Sequence, residues 1–168
     1  LDDHSGSVAH AAADAAQELA SLRARLDASA ADDAAAFARV LAARRLPRET
    51  EDESRARANA VEAALKGATL VPLEVARASV RVAEILETLA DLSRPGWLAD
   101  AAGGTQLALT AVAAARYNVL ANTARLGDEE FAAQQRARAG ELLESAREIS
   151  ARVEETFLGS VMNGREAA

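Results

Sequence analysis

The chain has 168 residues, a formal net charge of −7 and no cysteine; half of it is hydrophobic and only 3% aromatic. That size suits one domain with a full core. The acidic balance argues against nucleic acid, whose binding needs a basic surface, and the lack of thiols excludes disulfides, thiolate catalysis and cysteine-based metal sites.

More than a quarter of the chain is alanine, the best helix former and a residue that lets helix axes approach closely. No stretch alternates β-branched and polar residues. The fold class expected is all-α, a bundle of long, partly kinked helices in a single domain over 1–168. The opening residues, LDDHSGS, lack the basic start and apolar core of a signal peptide. No uncharged apolar run reaches the ~18 residues of a membrane span. A soluble cytoplasmic protein is expected, with no membrane or nucleic-acid partner.

A first helix is predicted from Val8 to Arg45, with Ser7 as N-cap and Ser29, Asp32 and Asp33 marking a bend or restart. Leu19, Leu22 and Leu26, then Phe37, Val40 and Leu41, form its apolar stripe. Pro47 ends it. A charged connector follows, and Thr50 with Glu53 fits a capping box at the start of a second helix. Pro72 is expected to kink or break that helix. Beyond it, Val75, Ser79, Val82, Leu86 and Leu89 repeat at the steps of a packed seam. Ser93 to Gly96 reads as a turn.

A third helix is predicted over Leu98–Leu126. Gly103 and Gly104 near its start permit a close approach or a bend, and Gly127 is a natural C-cap. Asp128, Glu129 and Glu130 suit the positive start of a last helix. Leu142, Ala146, Ile149, Val153 and Phe157 line one face of it, and the tail after Gly159 is expected to fray.

The third helix also holds the most informative residues. It is mostly small and apolar, yet it carries Asp100, Arg116, Asn118 and Asn122. An unpartnered buried polar group costs roughly 1–3 kcal/mol. A polar network or a ligand therefore belongs there. Asn118 and Asn122 are four apart and share a face. The structural alternatives stay open: Asp100 as an N-cap, the two asparagines as bridges between helices. Arg44 and Arg45 read either as a helix C-terminal charge pair or as a site for an anionic tail. His4 and His10, near the N-terminus, read as solvated residues, so neither a histidine metal site nor a Ser-His-Asp triad is expected. Gly103-Gly104 lacks the Lys-Ser/Thr of a phosphate loop.

Three stretches, 31–50, 64–92 and 98–131, resemble in order and spacing the cyclodeaminase/cyclohydrolase family, which includes the cyclodeaminase part of formiminotransferase-cyclodeaminase and methenyltetrahydrofolate cyclohydrolases. The resemblance runs over about residues 14–150. It rests on Asp33 to Phe37 with Leu46-Pro47, on Val71 to Glu74, and on Asp100-Ala101 followed by Asn118-Val119 and Asn122. Two features depart from the family pattern. Ala99 to Ala102 reads Ala-Asp-Ala-Ala where the family has Ser-Asp-Ala-Gly, and the family's Pro-Gly-Gly-Gly-Ser turn and first helix have no match from Leu1 onward.

The resemblance implies an enzyme of one-carbon folates. Such an enzyme hydrolyses 5,10-methenyltetrahydrofolate to 10-formyltetrahydrofolate, or closes 5-formiminotetrahydrofolate with loss of ammonia, as an ammonia-lyase does. It implies Asp100 as the catalytic carboxylate, with Asn118 and Asn122 holding the pterin edge. Arg116, or Arg44 and Arg45, would meet the glutamate carboxylates. It further implies a homodimer, no metal and no cofactor beyond the tetrahydrofolate substrate. A non-catalytic helical scaffold that keeps the fold is the second reading.

Overall fold

The computed structural model describes residues 2–92 and 95–166, with side-chain surroundings for 8–92 and 97–163. Four helices account for it: α1 (Asp2–Arg44), α2 (Glu51–Asp91), α3 (Pro95–Thr123) and α4 (Glu129–Glu166). No strand occurs among the described residues. α1 begins ahead of Ser7, so that serine is not its cap, and it passes Ser29 without a restart. The Ser29 hydroxyl donates to the Leu26 carbonyl at 2.6 Å and leaves the helix intact.

Thr50 caps α2 as its spacing with Glu53 predicts. Its Oγ1 accepts the Glu53 N–H at 3.2 Å, and the Glu53 carboxylate accepts the Thr50 N–H at 3.0 Å. α3 starts at Pro95, in the first turn that proline favours. Ser93 and Arg94 of the expected turn lie outside the described residues. α4 stays helical past Gly159, where fraying was expected.

The expected break at Pro72 does not occur: α2 runs through it as one helix. Proline removes a helical donor and crowds the carbonyl four residues back, at a cost of ~3 kcal/mol. Here that carbonyl, on Ala68, finds another donor, the Asn122 amide at 3.0 Å. α3 thus supplies a donor to the acceptor that Pro72 leaves without its helical partner.

α2 is the central helix. It packs against all three others, whereas among the described residues α1 packs against α2 alone. α2, α3 and α4 close on one another along alanines seven residues apart: Ala76, Ala83 and Ala90; Ala101, Ala108 and Ala115; Ala132, Ala139 and Ala146. All are buried. Fully buried large side chains are few, chiefly Leu73, Val112, Val119 and Val153. Stability therefore comes from close backbone approach along small residues, with many weak dispersion contacts. Gly104 shows how close: a Cβ there would lie 2.6 Å from Leu86 Cδ1. Ala83→Leu, at a position with no exposure, is expected to destabilise by about 1–3 kcal/mol through overpacking, read as a lower urea midpoint.

The α3–α4 turn is held from α2. The Glu62 carboxylate accepts the N–H groups of Gly127 and Asp128 at 2.9 and 3.0 Å. Gly127 has no positive φ, so it does not end α3 in the left-handed C-cap expected of it; the helix stops at Thr123 and Glu62 supplies the acceptor. Asp128 caps α4 by accepting the Phe131 N–H at 3.0 Å, and it receives Lys66 Nζ at 2.5 Å. Lys66 sits 5.3 Å above the Phe131 ring.

Both acids of this clamp titrate low. The Gly127 and Asp128 N–H groups hold Glu62 below its ordinary 4.5, and the Lys66 hydrogen bond, then the Phe131 N–H, hold Asp128 below 3.8. A depressed carboxylate stabilises the fold above its unfolded pKa and loses that contribution as pH falls through the folded one. The clamp is thus intact at neutral pH and weakens below about pH 4.5. Urea midpoints at pH 6 and pH 3.5 check this: Glu62→Gln, which cannot titrate, is expected to lose less between the two than the native chain.

Candidate functional site

α1 and α3 both flank α2, their backbones not packed together among the described residues, and a groove of about 320 Å³ opens between them. Its floor is Val71, Pro72 and Val75 of α2. Ser29, Ala30 and Asp33 form the α1 wall; Ala111, Ala114, Ala115 and Asn118 form the α3 wall. Small residues on both walls are what keep it open. Asp33 and Asn118 therefore face the same apolar space from opposite sides. Neither side chain has a hydrogen bond or ion pair among the described residues. A free carboxylate and a free amide over an apolar floor are suited to a flat, cationic, hydrogen-bonding ligand.

The candidates read from sequence divide. Asn118 is in the groove. Asn122, one turn further along α3, is part-buried, and its amide is engaged with the Ala68 carbonyl. Asp100 is exposed and makes no hydrogen bond or ion pair among the described residues. It is not at the N-terminus of α3, as an N-cap would be, but inside the helix. Eighteen residues separate it from Asn118, so within one chain they lie about 27 Å apart, though about five whole turns leave them on the same face.

Arg116 is not brought to the groove. Two residues before Asn118, it points about 200° round the helix from it. Arg44 and Arg45 are exposed at the end of α1. Arg44 shares the flank of Asp33 and Phe37, about 17 Å beyond Asp33 at the helical rise, and its carbonyl accepts from Arg57 Nε at 3.0 Å. His4 lies outside the residues with described side chains, and His10 is a surface residue 3.4 Å from Asp14.

Asp33 was the residue that sequence reasoning passed over. Beside Asp32 in a helical stretch it looks like one of a solvated pair, and its position opposite Asn118 is set by tertiary structure. The first turn of its quoted motif, Asp33 to Phe37, was the available signal. A roomier hollow of about 430 Å³ lies on the other flank of α1, over Leu70 and Val75. Glu74 there is already matched, with Arg25 at 3.7 Å and with Arg77, while Asp32 and Arg39 also line it; unlike the groove, it receives no residue of α3.

Known proteins match this chain over most of its length. A family model described as formiminotransferase-cyclodeaminase matches residues 3–141. Methenyltetrahydrofolate cyclohydrolase of Methylorubrum extorquens is 34% identical over 140 residues, 83% of this chain and 67% of that protein. Formimidoyltransferase-cyclodeaminase of Rattus norvegicus is 33% identical over 134 residues, 80% of this chain and 24% of that protein. Among solved structures, formiminotetrahydrofolate cyclodeaminase from Thermotoga maritima superposes with a TM-score of 0.74 at 26% identity, covering 86% of this chain and 68% of that one. The chain thus spans about two thirds of the bacterial proteins and about a quarter of the rat one.

Proposed function

The chain belongs to the formiminotransferase-cyclodeaminase family, and from that premise we propose that it is a one-carbon folate enzyme that hydrolyses 5,10-methenyltetrahydrofolate to 10-formyltetrahydrofolate in the α1–α3 groove. The observation that carries this reading is the free Asp33 carboxylate facing the free Asn118 amide across an apolar floor. The methenyl bridge is a delocalised cation between N5 and N10. A carboxylate attracts it, and an amide holds the pterin edge. Water bonds to the bridge carbon while a base takes its proton. The tetrahedral adduct then opens: the C–N5 bond breaks with its electrons to N5, which takes up a proton, and the hydroxyl loses one as the formyl carbonyl forms. The net release is one proton.

The base is Asp100, and it reaches the groove from a second copy. α3 carries only two charges, Asp100 and Arg116, and is mostly apolar. A helix of that kind needs cover on most sides, yet Leu107 is 74% exposed, Tyr117 67% and Trp97 51%. Two α3 helices crossing antiparallel about residue 109 would cover these faces. Leu107 would meet Ala111, and Trp97 would meet Ala121, large against small. The same pairing sets the partner subunit's Asp100 against Asn118, and the site becomes complete in a homodimer. Arg44, on the groove flank of α1 with Arg45 beside it, would meet the glutamate carboxylates. No metal or organic cofactor takes part in this scheme.

Loss of the methenyl chromophore on mixing with the purified protein, faster than the buffer rate, is the expected result. Ammonia release from 5-formiminotetrahydrofolate without chromophore loss would move the assignment to cyclodeaminase, the activity for which the Rattus norvegicus and Thermotoga maritima proteins are named. Neither reaction would leave the scaffold reading. Light scattering after size exclusion is expected to give a dimer at micromolar concentration.

A further inference from the structure

We propose that Asn122 is a positioning residue, which fixes the groove by supplying the hydrogen bond that Pro72 takes out of α2. The proposal rests on the reading of the groove as the folate site.

Residue 72 would ordinarily donate its N–H to the carbonyl of residue 68. Proline has no N–H. Ala68 is buried, at 7% exposure, so its carbonyl has poor access to water, and an unsatisfied buried acceptor is costly. Asn122 Nδ2 donates to it at 3.0 Å. The bond crosses from α3 to α2 at the point where the groove is built. Pro72 is part of the floor, and Asn118, one turn along α3 from Asn122, is part of the wall. One amide therefore sets the height of the floor against the residue that faces Asp33. One amide hydrogen of Asn122 is committed in this way and the side chain is not part of the groove lining, so in this proposal Asn122 acts on a ligand through Pro72 and Asn118.

A direct ligand contact and a positioning role differ in one respect. A positioning Asn122 matters only while residue 72 is proline. Pro72→Ala restores an N–H that can reach the Ala68 carbonyl within the helix and makes the cross-helix bond redundant. A ligand contact would be needed on either background.

The experiment measures Kd for 5-formyltetrahydrofolate, a chemically stable probe, in four chains: native, Asn122→Ala, Pro72→Ala and the double variant. Urea midpoints are recorded alongside. On the native background Asn122→Ala is expected to raise Kd about tenfold, the scale of one lost hydrogen bond. On the Pro72→Ala background, whatever baseline that variant sets, adding Asn122→Ala is expected to change Kd less than about twofold. Equal losses on both backgrounds would make Asn122 a ligand contact and overturn the proposal, as would no loss on either. Should Asn122→Ala alone not fold, the two Pro72→Ala chains still decide, since both keep the helical bond. A native chain that binds no probe overturns the groove reading and this inference together. Native binding without Pro72-dependence overturns the inference alone.

Discussion

Asp100→Asn is expected to lower turnover of 5,10-methenyltetrahydrofolate by about 10²–10⁴-fold, the contribution of a general base, with the helical spectrum and urea midpoint unchanged. The asparagine is nearly isosteric but cannot take a proton from water. Asp100 is exposed and has no partner among the described residues, so the fold has nothing to lose by its neutralisation; surface changes of that kind stay within about 0.5 kcal/mol. The loss should therefore fall on kcat more than on binding. Asp33→Asn makes the comparison informative. Asp33 lines the groove and attracts the cation, so its loss should weaken substrate binding as well as turnover. A native rate in the Asp100→Asn chain would remove Asp100 from the chemistry and leave Asp33 as the carboxylate in place to act as base.

The parts of this molecule that follow from local rules were legible in its residues. The Thr50–Glu53 box and the helical character of the alanine-rich segments depend on neighbours within a turn or two. The seam expected along Val75, Ser79, Val82, Leu86 and Leu89 is displaced: of these only Ser79 is buried, and the buried line of α2 runs through Ala76, Val80, Ala83 and Ala90. What could not be read depends on residues far away in sequence. Pro72 signals a break by every local criterion, and the donor that cancels it comes from Asn122 on another helix. Gly127 carries the mark of a C-cap, but Glu62 of α2 takes over the turn. The site shows the same division. The resemblance pointed to Asp100, Asn118 and Asn122, and the chain order suggested that they converge. A single uninterrupted α3 instead spaces Asp100 away from the other two while keeping it on the Asn118 face. Asp33 is identified only once α1 and α3 stand on opposite walls of one groove.

That spacing leads to a sharper expectation. Chains carrying Asp100→Asn and chains carrying Asn118→Ala are each expected to be nearly inactive, and a heterodimer of the two, isolated through different tags, to recover about half the native turnover. In an antiparallel α3 pair each site takes its carboxylate from one subunit and its amide from the other. The heterodimer then has one site with both groups and one with neither. Two substitutions in the same chain, paired with a native chain, give a different result: each site loses one group, and the dimer stays near the single-variant level. The two arrangements hold the same residues and the same number of changes, so only their distribution between subunits can separate them. If both heterodimers had equal activity, Asp100 and Asn118 would not serve a shared site. A fully active monomer would break the argument earlier still, because within one chain Asp100 stays about 27 Å from Asn118 and no site contains both.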